Sequence, residues 1–322
     1  MEDCPGLVQQ HATCRTGMNL FSPEEHARAL EQGEDVPRTQ PEFPLPIQEV
    51  GVGGQTLWIL LPQGRIPLTG SVSVDLPPHL RGIHMSRIEE EISRLYETAF
   101  EHPAAYAMAL AGAVVRRQEG ERAQVRLRGQ MPLCRATPVS GRTSVDTLHV
   151  DAWAEAGRKS GHIRARLGIG VHHITACPCT QAYARAIHPA EDHSLPPATH
   201  SQRSFTRLEV ATGPGGPGPQ DLRSCLDLAL HLTQSLLKRP DEAEMVMQAH
   251  LQPQFAEDAV RAVAARVPEV LGHLLPPDST VVVESDSSES IHTHNVRCRL
   301  TATVQEIEKN LAGKRPGGSG PT

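Results

Sequence analysis

The sequence predicts an α+β protein of two tandem strand-strand-helix-helix-strand-strand modules, with antiparallel sheets and the helices on one face. Three observations carry this. Apolar residues alternate with polar ones at period two in several segments, as in Val72, Val74 and Leu76, or in Ile163, Ala165, Leu167, Ile169 and Val171. Helical patterns fall between the strand pairs, once after residue 81 and again after residue 221. A chain of 322 residues can also bury a large core. No sequence repeat accompanies the repeated pattern. The organisation is an arm over 1–47, a first module over 48–156, a second over 157–305 and a disordered tail over 306–322.

The arm holds Pro, Glu and Gln without sustained periodicity. Strand patterns begin at Gln48, in QEVGVGGQTLWILLP and RIPLTGSVSVDLP. Ser86 with Glu89 has the form of a capping box, which predicts a helix from Arg87 with Ile88, Ile92, Leu95 and Tyr96 on its apolar face. Pro103 opens a second, alanine-rich helix to about Arg117. Strands follow over Ala123–Arg135, Thr143–Ala156 and 162–175, the last two joined as a hairpin by AGRKSG. Another spans Ser204–Thr212 and ends in the loop GPGGPGP. Helices are expected over Asp221–Lys238, Glu242–Ala249 and Pro253–Leu275, the first with Leu222, Leu226, Leu230, Thr233 and Leu237 on one face. Two strands, STVVVESD and HNVRCRLTATVQ, close the module, and the tail is rich in Gly, Pro and Lys.

Seven cysteines, an odd number without regular spacing, argue against a disulfide framework and for a reducing compartment. The N-terminus, MEDCPGLVQQ, lacks the basic and apolar regions of a signal peptide. No apolar run approaches the roughly 20 residues of a membrane span, so a cytoplasmic protein without a membrane partner is expected. A net charge of −6 with 3% aromatics offers neither the basic field nor the stacking platforms of a nucleic-acid binder. An anionic ligand would instead be met by local clusters of Arg and Lys.

Four stretches have the composition of a site. In the first, Cys177 and Cys179 flank Pro178, and Thr199 with His200 follow a proline-rich loop. Thiolate and imidazole together favour zinc or a neighbouring first-row metal. C-P-C is not the C-x2-C of a zinc finger and cannot easily turn both sulfurs onto one ion. One cysteine therefore reads as a ligand and the other as free for chemistry; two buried thiols and a surface histidine is the plainer reading. LLKRPDE sets Lys238, Arg239, Asp241 and Glu242 at a helix junction. QFAEDAV puts Glu257 and Asp258 in a first helical turn, where acids suit the dipole without any function. In ESIHTHN, His292 and His294 are two apart, so on a strand both imidazoles would share a face and suit metal binding or proton transfer. Adjacent His172 and His173 would point to opposite faces and read as structural or solvent-facing. RGIHMSR is a weaker signal, with His84 ahead of a helix N-terminus between Arg81 and Arg87, a setting that can bind phosphate.

RGIHMSR, TACPCTQ, THSQRS, LLKRPDE, FAEDAVR and ESIHTHN, in that order, resemble the signature of GTP cyclohydrolase type IB, the metal-dependent class that opens the guanine ring of GTP. The resemblance covers about 48–305. It implies the tunnelling fold, whose subunit carries two such modules, and self-association into a homotetramer with active sites between subunits. Carried over residue by residue, it implies metal ligands at Cys177, His200 and Glu242, catalytic roles for Cys179, His292 and His294, and a purine-anchoring carboxylate at Glu257. Arg81, His84, Arg87, Arg203, Lys238 and Arg239 are the remaining candidates for binding substrate, chiefly the triphosphate. The implied cofactor is one divalent metal per subunit, zinc, manganese or ferrous iron, with no nicotinamide or flavin.

The activity implied is hydrolytic opening of the imidazole ring with release of formate, giving 7,8-dihydroneopterin triphosphate for pterin and folate biosynthesis. Between Cys179 and His200 lie twenty residues, 180–199, as in the long form of the family. That form includes enzymes releasing dihydroneopterin 2',3'-cyclic phosphate, and the long gap leaves His188 and His193 as rivals of His200. Two other readings stand beside this one: a tunnelling-fold nitrile reductase of deazapurine metabolism, and a metal-binding protein without catalysis.

Overall fold

The computed structural model describes residues 20–187 and 195–313. Its strands are β1 (Ile47–Leu61), β2 (Gly64–Leu76), β3 (Arg122–Ala136), β4 (Thr143–Gly157), β5 (Ile163–Ala176), β6 (Ser201–Thr212), β7 (His231–Leu232), β8 (Thr280–Ser288) and β9 (Val296–Thr303). The helices are α1 (Pro23–Gln32), α2 (Met85–Arg94), α3 (Pro103–Arg117), α4 (Pro178–Ile187), α5 (Pro219–Ala229), α6 (Arg239–Leu251), α7 (Ala256–Leu271) and α8 (Val304–Ala312). One antiparallel sheet runs β1-β2-β3-β4-β5-β6-β8-β9, with the short β7 added to β5. The two modules are β1-β2-α2-α3-β3-β4 and β5-β6-α5-α7-β8-β9, joined through the β4–β5 hairpin at Ala156 and Ile163. This is the α+β arrangement of the tunnelling fold.

The alternation written in the sequence decides which face is covered. On β4, Leu148, Val150, Ala152, Ala154 and Ala156 are buried beneath α3, whereas His149, Asp151 and Trp153 turn to the other face. Helix α3 buries Tyr106, Leu110 and Val114, and small residues, Ala104, Ala107 and Ala111, stand among them. Helix α7 covers the second half with Val260, Val263, Val267 and Leu271. Each large aliphatic side chain contributes about 1.5–3 kcal/mol on burial, and a one-residue slip would turn all of them outward, so register follows from pattern.

The uncovered face is ionic, with Arg128–Asp151 at 3.1 Å and Arg299–Glu284 at 2.6 Å. A groove of about 650 Å³ crosses it, lined by His149, Gly170, Phe205 and Arg207 among others. A Cβ at Gly170 would stand 2.3 Å from the Phe205 ring, so only glycine lets that ring lie across β5.

Several elements depart from expectation. The arm carries α1, closed by a reciprocal capping box between Ser22 and Glu25. Helix α2 starts at Met85 with His84 as N-cap, two residues before the expected start, and the Ser86 cap is not made. There the Gln118 amide brackets the His84 backbone, donating to its carbonyl at 2.9 Å. Helix α4 occupies the start of the expected proline-rich loop.

The helix expected to reach Lys238 ends at Ala229. His231 and Leu232 pair instead with Ile174 and His173 of β5, and Thr233 N–H donates to His172 O at 3.0 Å. Thr233 and Leu237 therefore share no helical face with Leu222. Past β9, Thr303 caps α8 through Glu306 and buries Val304 and Ile307, so the first residues of the expected tail are helical. No helix is long and apolar enough to cross a membrane among the described residues.

Candidate functional site

Cys177 follows directly on β5 and His200 directly precedes β6, because the two strands pair until Ala176 faces Ser201. The register continues one step, with Cys177 N–H donating to His200 O at 3.0 Å. Thr199 adds a hydroxyl bond to Cys177 O at 2.9 Å, and Thr180 Oγ1 lies 3.7 Å from the Cys177 sulfur. Cys177 is buried, while Cys179 is exposed in the first turn of α4.

His292 and His294 lie in the loop between β8 and β9, not on a strand as their spacing suggested. They still act as a pair, with rings stacked 5.2 Å apart, and His292 stands 6.5 Å from the His200 ring. Ser290 of the same loop has its hydroxyl 3.5 Å from His200 Nδ1. Gln254 N–H donates to Ala176 O at 3.1 Å, which sets the start of α7, with exposed Glu257, beside the Cys177 turn. Asp258 spends its carboxylate on the Phe255 N–H as a cap. One end of the second module thus gathers Cys177, Cys179, His200, His292, His294 and the helix that carries Glu257. His188 and His193 lie outside the described residues.

Glu242 is not brought into this group. It is exposed in the first turn of α6, whereas the last turn of α6 meets α4 through Gln181 Nε2 and His250 O at 2.8 Å. Glu242 lies eight residues before His250 on this helix, about 12 Å of rise. Among the described residues no three His, Cys, Asp or Glu side chains converge as a metal-holding group. Sulfur and imidazole donors side by side nevertheless fit a divalent transition ion.

Lys238 and Arg239 flank Glu242 and are exposed. Arg203 points away from the helix side and, with His172 and Thr233–Ser235, lines a groove of about 420 Å³. Arg81, His84 and Arg87 sit at the start of α2 in the first module. Arg81 N–H and the His84 ring meet the arm at Pro37 and Asp35, and Arg87 donates to Arg117 O at 3.0 Å. None of these contacts joins them to Cys177 or His200.

The bonding of two residues named in the sequence analysis, His173 and Asp241, was not foreseen there. His173, buried on β5, stands with Nε2 2.8 Å from Thr206 Oγ1, which donates to Ser285 Oγ at 2.8 Å. Burial above all, then the nearby His231 ring, holds its pKa down at about 3. The second is Asp241, a fully buried carboxylate that accepts four hydrogen bonds. Burial would raise its pKa, but the bonds from Ser140, Lys238 and Val139 outweigh this and hold it far below the usual carboxylate range. A lone acidic residue beside Glu242 gave no sign of this.

The profile of type I GTP cyclohydrolase folE2 matches residues 34–298. The GTP cyclohydrolase MptA of Methanoculleus marisnigri is 33% identical over 86% of this chain and 97% of its own. That of Methanospirillum hungatei is 31% identical over 92% and 98%, respectively. Among solved structures, a uricase from Bacillus fastidious aligns with 85% of this chain and 99% of its own, at 11% identity and a TM-score of 0.48. A profile match that takes in the first module, all but the end of the second and all six motifs leaves one conclusion: the chain belongs to the type I GTP cyclohydrolase (folE2) family, enzymes that act on GTP.

Proposed function

We propose that the Cys177–His200 end of the second module is the centre of hydrolytic opening of the guanine imidazole ring, releasing formate and giving 7,8-dihydroneopterin triphosphate. The observation that carries this is the meeting of Cys177, His200 and the stacked pair His292–His294 at one strand end. The family is metal-dependent. Cys177, His200 and Glu242 would hold one zinc, manganese or ferrous ion, which when bound activates water for attack at C8 of the purine.

The chain's own residues supply the rest. His292 and His294 exchange protons with the ring nitrogen and the departing formyl group, and Cys179, exposed two residues from Cys177, is a third proton carrier. Glu257 accepts two hydrogen bonds from guanine N1–H and the 2-amino group, a donor pair that adenine lacks. Lys238, Arg239 and Arg203 meet the triphosphate on one side. Arg81, His84 and Arg87 serve it from the first module. Because one chain holds these groups apart, the complete site is formed with a second copy, in a homotetramer.

A second reading, release of dihydroneopterin 2',3'-cyclic phosphate, is supported by the long 180–199 segment and by the MptA relatives. Metal-reconstituted protein incubated with GTP should yield formate and, after oxidation, a fluorescent pterin. The product's mass tells triphosphate from cyclic phosphate. Metal uptake without formate would reduce the chain to a metal-binding protein.

A further inference from the structure

We infer that two buried carboxylates, Asp146 and Asp241, position the loop that presents Glu242, so that the β3–β4 hairpin of the first module acts as a cradle for a metal donor of the second. This rests on the reading of Glu242 as a ligand. The hairpin holds this loop at Thr233, Gln234, Ser235 and Leu236, and again at Asp241. Arg135 donates to Thr233 O at 2.6 Å and to the Asp146 carboxylate at 2.9 Å. Gln234 Nε2 donates to Ala136 O at 3.1 Å. Asp146 accepts Ser235 N–H at 2.7 Å, and Ser144 Oγ accepts Leu236 N–H at 3.0 Å.

Asp241 closes the far side. It accepts Val139 N–H at 2.9 Å, Ser140 N–H at 2.8 Å and Ser140 Oγ at 2.7 Å. Only its fourth bond, from Lys238 N–H at 2.9 Å, is the local cap that any helix start could use. A loop that merely joined α5 to α6 could leave its polar groups to water. Here an anion on each side is withdrawn from solvent to tie the loop to a hairpin about a hundred residues away, an arrangement costly unless position matters. Glu242 follows Asp241 directly, and its N–H is bonded to Lys238 O at 2.9 Å, so its backbone has no freedom of its own.

The test is a double-mutant cycle on the full metal-free chain, reading zinc affinity by competition with a chromophoric chelator. Asp241→Asn should weaken zinc by roughly 10–100-fold, the usual effect of losing a ligand's supporting contact, at unchanged helix content by circular dichroism. In the Glu242→Gln background the same substitution should change zinc affinity no further. Wild-type zinc affinity in Asp241→Asn, or an equal loss in both backgrounds, would overturn the inference by reducing Asp241 to general stability. Glu242→Gln binding zinc like wild type would instead sink the ligand reading, and this inference with it. If Asp241→Asn does not fold, Ser140→Ala, which removes one of the four bonds, enters the same cycle with a smaller, roughly several-fold, expected loss.

Discussion

Mild acid should weaken this protein through imidazoles that burial holds neutral, His102, His149, His172 and His231 among them and His173 above all. His173 is wholly buried, and because Thr206 donates its hydroxyl to Ser285 it must accept from His173 Nε2–H. Burial keeps the ring neutral, and protonation would create a second N–H at Nδ1, an atom without a partner among the described residues. Unfolded, the same ring takes a proton near pH 6.5; folded, it does so only near 3. Between these values the unfolded chain holds the extra proton, so stability is full above pH 6.5 and falls as pH drops toward 3. At about 1.4 kcal/mol per pH unit, going from pH 7 to 5 removes about 2 kcal/mol. Asp146 and Asp241 do not contribute in this window, since unfolded aspartate protonates near 3.8.

Urea unfolding of metal-free wild type and His173→Gln at pH 7, 6 and 5, at fixed protein concentration, measures the effect. The variant should start less stable yet lose about 2 kcal/mol less across the range. Equal losses in the two proteins would refute the assignment of the neutral, buried ring.

Cys177→Ala, His200→Ala and Glu242→Ala should each lose bound metal and turnover, and metal analysis of purified protein checks this; full metal in His200→Ala would hand its role to His188 or His193. Glu257→Gln should keep its metal but lose about 2–5 kcal/mol of GTP binding by calorimetry, because an amide donor then faces a donor edge. Cys179→Ala should retain metal and turn over GTP roughly 100-fold more slowly, and unchanged turnover would reduce the residue to packing. Gly170→Ala should lower stability by about 1–3 kcal/mol in thermal unfolding, since its methyl group meets the Phe205 ring.

Periodicity was enough to find the strands because one face of each is buried and the other is not. Pro103 and the alanines behind it likewise gave α3 to the residue. The segment 230–238 was misjudged because Leu226, Leu230 and Leu237 keep helical spacing, while what extends the chain there lies far away in sequence, on β5, Ser144 and Asp146. Cys177 and His200 could be singled out by residue type, but their adjacency is a property of the β5–β6 register. The stacking of His292 on His294 is a loop geometry that a two-residue spacing does not distinguish from a strand. The bonding of His173 and Asp241 stayed hidden because satisfaction by partners, not residue type, sets them apart.

The sheet has a consequence for the order in which the molecule is made. Most strands pair with their neighbours along the chain, so hairpins such as β3–β4 and β4–β5 can form early from local contacts. The cradle is different, because its bonds close spans of 89 to 102 residues and their entropy cost falls due only once both sides exist. The hairpin must wait, already folded, for the loop to arrive. Glu242 therefore takes its place late, and a chain refolding from denaturant should regain its sheet before it regains high-affinity zinc binding.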